Sequence, residues 1–195
     1  MRRLIWLCGL SLLLAGGAMA APGAVRCGKL LNVRTGELLD NQVIVFDENG
    51  TITAVGSAPT LPKGVTAVDL SGMTCLPGLI DVHTHLTSDP SDSGYAGLGV
   101  SVGKEAINGA KNAAKTVRAG FTTVRNVGAG NFTDVALRDG INEGGIPGPR
   151  MIVSGPALGI TGGHCDNNLL PYEFHYKEAG SPTGLGPCAP RCGRW

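Results

Sequence analysis

The chain has 195 residues, with 16 Lys+Arg against 15 Asp+Glu; a formal net charge of +1 excludes the strong field that recruits nucleic acid or an anionic membrane. Hydrophobic residues make up 43% and charged residues 16%, which excludes a disordered chain, while 31 Gly and 12 Pro point to many turns and short elements. A folded α/β or α+β protein is the expectation.

Residues 1–20 read as a signal peptide. Arg2 and Arg3 precede the apolar run 4–14, and Ala18-Met19-Ala20 gives the small-x-small pattern that a signal peptidase cleaves, so the mature chain is expected to begin at Ala21. The run is shorter than the roughly 20 apolar residues of a membrane span. Cys8 within it lacks the preceding small residues of a lipoprotein processing site. The expected location is secreted or periplasmic, with no membrane association after cleavage.

Export permits disulfides. Of the six cysteines, Cys27 and Cys75 flank a β-rich segment and are the one pair to consider; two separately buried thiols are the alternative. Residues 25–33, 42–46, 51–55 and 65–70 are short β-branched or apolar runs, and Asp47-Glu48-Asn49-Gly50 supplies a hairpin turn. They predict a small antiparallel β unit over 21–75.

The pattern then changes. An apolar strand at 79–82 and a Gly/Ser/Asp loop precede a predicted helix at 104–119, where Ile107, Ala110, Ala114 and Val117 recur at helical spacing and Gly120 is placed to cap the end. A strand at 121–125, a helix at 133–142 and a strand at 151–154 complete a βαβαβ run. Such alternation implies a parallel sheet with its chemistry at the carboxyl ends of the strands.

At the end of the first of these strands stands Asp81-Val82-His83-Thr84-His85. Residues i and i+2 of an extended strand share a face, so His83 and His85 project together as a half-site for Zn²⁺ or a similar divalent ion. Two unrelated histidines are the alternative for a bare His-x-His, and the surrounding βα pattern favours the metal. Asp81 is expected on the same face, either supporting the ligands or orienting the strand end.

The segment Cys75-Leu76-Pro77-Gly78-Leu79-Ile80-Asp81-Val82-His83-Thr84-His85 resembles the start of the barrel in the metal-dependent amidohydrolase superfamily, in its secreted prolidase-like and imidazolonepropionase-like branch. Asn32-Val33-Arg34-Thr35-Gly36, Val68-Asp69-Leu70-Ser71-Gly72, Gly120-Phe121-Thr122-Thr123-Val124-Arg125 and the stretch from Ser154 to His164 support it. Asn126 departs from the pattern, which often has Asp there; a local effect is expected rather than loss of metal.

The resemblance implies a (β/α)8 TIM-like barrel over 76–180 preceded by a small β-sandwich part over 21–75. It implies a site with one or two divalent ions, zinc foremost, held by two histidines of the first strand and by a carboxylated lysine, two histidines and an aspartate from later strands. It also implies hydrolysis of a C–N bond by water that the metal activates, acting on a small dipeptide or N-acyl amino acid. His83 and His85 would be metal ligands and His164 a substrate contact, a loop histidine bonded to backbone being the alternative. His175 is assigned to surface or core. A homo-oligomeric full-length form is left open, and no nucleic acid partner is expected.

A barrel of this type takes about 250 residues, whereas about 115 follow Asp81 here, enough for about three βα units. The expectation is an incomplete barrel that lacks the catalytic aspartate and exposes its apolar inner layer. Residues 181–195 carry no helical or strand period. Back-translated with one base restored after Gly180, the tail reads as an Asp-Gly-Pro-Trp helix start and an amphipathic helix similar to the family's. A single-base deletion there, with Cys188 and Cys192 accidental, is the leading expectation. A truncated, catalytically inactive chain with weak metal binding through His83 and His85 is the alternative to an active hydrolase.

Overall fold

The computed structural model describes residues 21–159, 163–165 and 169–171. The expected signal peptide at 1–20, His175, Cys188, Cys192 and the tail at 181–195 lie outside the described residues. The chain divides into two compact units between Pro77 and Gly78.

In the first unit β1 (Gly23–Leu31), β2 (Leu38–Phe46), β3 (Ile52–Gly56) and β4 (Val68–Cys75) form one sheet in the order β3-β2-β1-β4. Alternation in β2 buries Val43 and Val45, which form a core with Ala24 and pack against Ala54, Val65 and Ala67. The turn from β2 to β3 is set by Asp47, whose Oδ1 accepts from the amides of Asn49 and Thr51, both at 2.9 Å. Gly50 takes the left-handed conformation at φ +75°.

The antiparallel expectation holds for β1 with β2 and for β2 with β3, but β4 runs parallel to β1, from Val25 opposite Val68 to Leu30 opposite Cys75. The sheet is therefore mixed. Tight turns join only antiparallel neighbours, whereas the connection over 57–67 is long enough to carry the chain across to the free edge of β1. This also moves the last strand from the predicted 65–70 to β4. Cys27, fully buried, is bonded to Cys75 across this parallel pair, with 5.8 Å between their Cα atoms.

In the second unit β5 (Leu79–Thr84), α1 (Val102–Arg118), β6 (Phe121–Asn126), α2 (Thr133–Asn142) and β7 (Arg150–Val153) follow one another, and the strands form a parallel sheet in the order β5-β6-β7. Helix α1 begins before the predicted 104 because Ser101 caps it, its hydroxyl accepting from the Lys104 amide at 3.2 Å. It ends at Arg118, and Gly120, with a φ of +95°, reverses the chain into β6.

The buried stripe of α1 is rotated from the expected one. Asn108, Gly109 and Ala113 face inward, while Ile107 is 71% exposed. Gly109 decides the rotation: a Cβ there would stand 3.0 Å from Leu137 Cδ2 and 3.1 Å from Thr87 Cγ2, so the helix approaches its neighbours where it has no side chain. Leu86, Ala113, Val124, Leu137 and Met151 form the core, each large side chain contributing about 2 kcal/mol by burial. On the opposite face Ile80 and Ile152, paired with Thr123 and Arg125, remain exposed. No helix among the described residues is long and apolar enough to cross a membrane.

Candidate metal centre at the carboxyl end of β5

His83 lies near the end of β5 and His85 directly after it. The ladder with β6 slips here: Asp81 pairs with Val124 and Thr84 with Asn126, so three steps along β5 answer two along β6. At the slip Asp81 Oδ1 accepts from the His83 backbone amide at 3.0 Å. The Asp81 carboxylate thus holds the strand's own backbone, and strict alternation no longer assigns it to the face of the histidines. Beyond the slip Thr84 anchors the strand end, its hydroxyl donating to the Arg125 carbonyl at 3.2 Å and its carbonyl accepting from the Val127 amide at 3.0 Å.

The imidazoles of His83 and His85 stand with centroids 5.5 Å apart and planes at 66°. Two imidazoles bound to one ion, each at about 2 Å and at a tetrahedral angle, bring their centroids to about 5 Å. The pair fits a shared divalent ion. Both side chains are exposed.

His85 Nδ1 lies 3.0 Å from the Gly128 carbonyl oxygen. A carbonyl only accepts, so Nδ1 carries the proton and Nε2 keeps its lone pair for a ligand. A Cβ at Gly128 would stand 3.1 Å from Ala157 Cβ, a tight approach, and 3.4 Å from His85 Cε1, an ordinary contact. Behind this carbonyl lie Asn126 and Asp134, both fully buried and hydrogen-bonded to each other at 3.2 Å.

The loop that follows is tied to α1. Asp89 Oδ2 pairs with Lys111 Nζ at 2.9 Å, Asp92 Oδ1 with Lys104 Nζ at 2.8 Å, and Asn112 Nδ2 donates to the carbonyls of Leu86 and Ser88 at 2.8 and 3.0 Å. The Lys111 ammonium, then the Ser91 hydroxyl and amide, hold the Asp89 carboxyl well below the usual carboxylate range.

His83 and His85 are the two candidate ligands that stand side by side. Among the described residues no group of three or more His, Cys, Asp or Glu side chains is placed to hold a metal. His164 is exposed in a turn and does not join the pair into such a group, and neighbouring Cys165 is a free thiol. The sequence reading missed Gly128, Asn112 and Asp134; each acts through partners distant in the chain, and no local signal marks them.

The ochratoxinase of Aspergillus niger is 33% identical over 168 residues, an alignment covering 82% of this chain and 32% of that protein. A Xaa-Pro dipeptidase solved with methionine in its active site superposes with a TM-score of 0.69 at 29% identity, over 80% of this chain and 39% of that one. A prolidase complexed with N-methylphosphonate-L-proline gives 0.64 at 30% identity, over 74% and 34%. The chain spans about a third of the length of the curated relatives it matches first. Residues 74–183, more than half of the chain and including both histidines, match the family described as the amidohydrolase family, and the chain belongs to it.

Proposed function

We propose that this chain is part of an exported, metal-dependent hydrolase of C–N bonds whose substrate is a small dipeptide or N-acyl amino acid. The observation that carries the reading is the His83–His85 pair: two imidazoles 5.5 Å apart, the second with Nδ1 engaged and Nε2 free. The relatives named as dipeptidase, prolidase and ochratoxinase supply the substrate class. In this reading the parallel unit is the first three strands and two helices of a (β/α)8 barrel, and the mixed sheet is part of a β-sandwich. The signal-like sequence at 1–20 and the Cys27–Cys75 bond support export.

A divalent ion held by the His83–His85 pair, zinc foremost, would supply Lewis acidity for activating water and polarising the scissile carbonyl. The residues of this chain supply its seat. His83 and His85 donate imidazole nitrogens, the Gly128 carbonyl orients His85, and Asp81 fixes the backbone from which His83 projects. His164 is assigned to the substrate, as a contact to its carboxylate or carbonyl. For these 195 residues by themselves we propose weak metal binding and no appreciable turnover. Two neutral ligands leave the ion mostly hydrated, and among the described residues no third His, Cys, Asp or Glu completes a metal-holding group with them.

The test is release of amino acid from a panel of Xaa-Pro, Xaa-Arg and N-acyl substrates. It is run on this chain and on a form extended to the length of the relatives, with and without chelator. Turnover in the extended form that chelation abolishes and zinc restores is the expected result. Chelator-insensitive turnover, or full retention of activity in His83→Ala, would contradict the reading.

A further inference from the structure

The polar groups packed behind His85 form a connected chain. Asn126 and Asp134 are both 0% exposed. Asn126 Nδ2 donates to the Gly128 carbonyl at 3.1 Å and to Asp134 Oδ2 at 3.2 Å, while its Oδ1 accepts from the Leu86 amide at 2.7 Å and lies 3.5 Å from the Thr84 hydroxyl. These partners determine which way the amide points, because the Leu86 N–H only donates and the carbonyl and carboxylate only accept. Asp134 is held in turn, with Oδ2 accepting from the Gly155 amide at 3.1 Å and Oδ1 from the Val135 amide at 2.9 Å.

The Gly128 carbonyl thus receives two donors, Asn126 from within and His85 from outside. A buried network in which every member is satisfied is rigid, and each link fixes the next. We propose that Asn126 and Asp134 are positioning residues for His85: through the Gly128 carbonyl they set its imidazole in the Nδ1–H tautomer and hold the ring so that Nε2 stands free as a ligand. The consequence for metal affinity rests on the proposed metal role of His85; the tautomer rests on the hydrogen bonds alone.

The same contacts explain why residue 126 is an amide. A carboxylate there would set acceptors against the Asp134 carboxylate and the Gly128 carbonyl and would remove the donor that holds the carbonyl in place. With Asp134 as its neighbour, position 126 serves two acceptors and one donor; an Asp, as the protonated acid, could donate to only one of the two acceptors. Asn meets all three at once.

The experiment compares the ¹⁵N-labelled 195-residue chain as wild type, Asn126→Asp and Asp134→Asn, both substitutions being isosteric. Ring-nitrogen shifts report the tautomer of His85, a zinc competition titration reports affinity, and far-UV circular dichroism reports the fold. In the wild type His85 should be predominantly Nδ1–H. Asn126→Asp should mix the tautomers and weaken zinc binding by about tenfold or more. Asp134→Asn should shift the same signals less, because Asn126 keeps its bond to Gly128.

A wild-type His85 in the Nε2–H tautomer would overturn the proposal. So would variants that lower the urea midpoint while leaving the His85 ring signals unchanged, since that is the mark of a merely structural role. If Asn126→Asp fails to fold, Asp134→Asn decides by the same signals. If the tautomer responds as expected but the wild type binds no zinc, the positioning role is supported and the metal role of His85 falls.

Discussion

His85 carries two ring nitrogens, and the bond to the Gly128 carbonyl puts the proton on Nδ1. Because Gly128 also lies against the ring, replacing it should be felt at once. In Gly128→Ala the new methyl would crowd Ala157 and touch the His85 ring, so we expect a loss of about 1 kcal/mol in urea denaturation together with weaker zinc binding. Unchanged zinc affinity would mean that the ring is not held from this side. Asp89, four residues on, gives a pH prediction. Its folded pKa is depressed, so its stabilisation is present above the unfolded carboxylate value and is lost as pH falls through the folded one. The urea midpoints of wild type and Asp89→Asn should therefore differ at neutral pH and converge in strong acid. The adjacency of the two histidines was legible, because His83-Thr84-His85 at a strand end is a local pattern. The position of Asp81 was not: the ladder slip belongs to the pairing with β6, and residue alternation alone does not reveal it.

At the level of the elements, boundaries follow local chemistry and partners do not. Ser101 caps α1, and Ser101→Ala should cost about 1 kcal/mol, read as a drop in the urea midpoint without a change in slope. The βαβαβ order was legible from apolar period and Gly placement. The rotation of α1 about its axis was not, because Ile107 is more apolar than Gly109 and only the close approach of Leu137 and Thr87 turns Gly109 inward. The parallel pairing of β4 was hidden for a similar reason, since no local turn encodes a strand that returns to a distant edge. That pairing carries the Cys27–Cys75 bond, which closes a loop of 48 residues and constrains the unfolded chain by about 4 kcal/mol. Reduction should lower the stability of the first unit by that order, measured by denaturation with and without reductant.

At the scale of the whole molecule, two units are joined at Pro77 and Gly78, and the family match begins at residue 74, just before that junction. The second unit bears the histidine pair at the carboxyl end of a parallel sheet, where the loops after each strand gather polar groups from three strands. Thr84, Asn126, Gly128 and Gly155 all enter one hydrogen-bonded patch there. The central claim is that His83 and His85 bind one divalent ion together. The most direct test is a zinc titration of the ¹⁵N-labelled chain followed through its histidine ring signals, which reads binding whether it is weak or strong. His83 and His85 should shift together with a single affinity, His85 through Nε2, and His83→Ala should abolish the shift at His85. Zinc-induced shifts at His164 or Cys165 with His83 and His85 unmoved would contradict it.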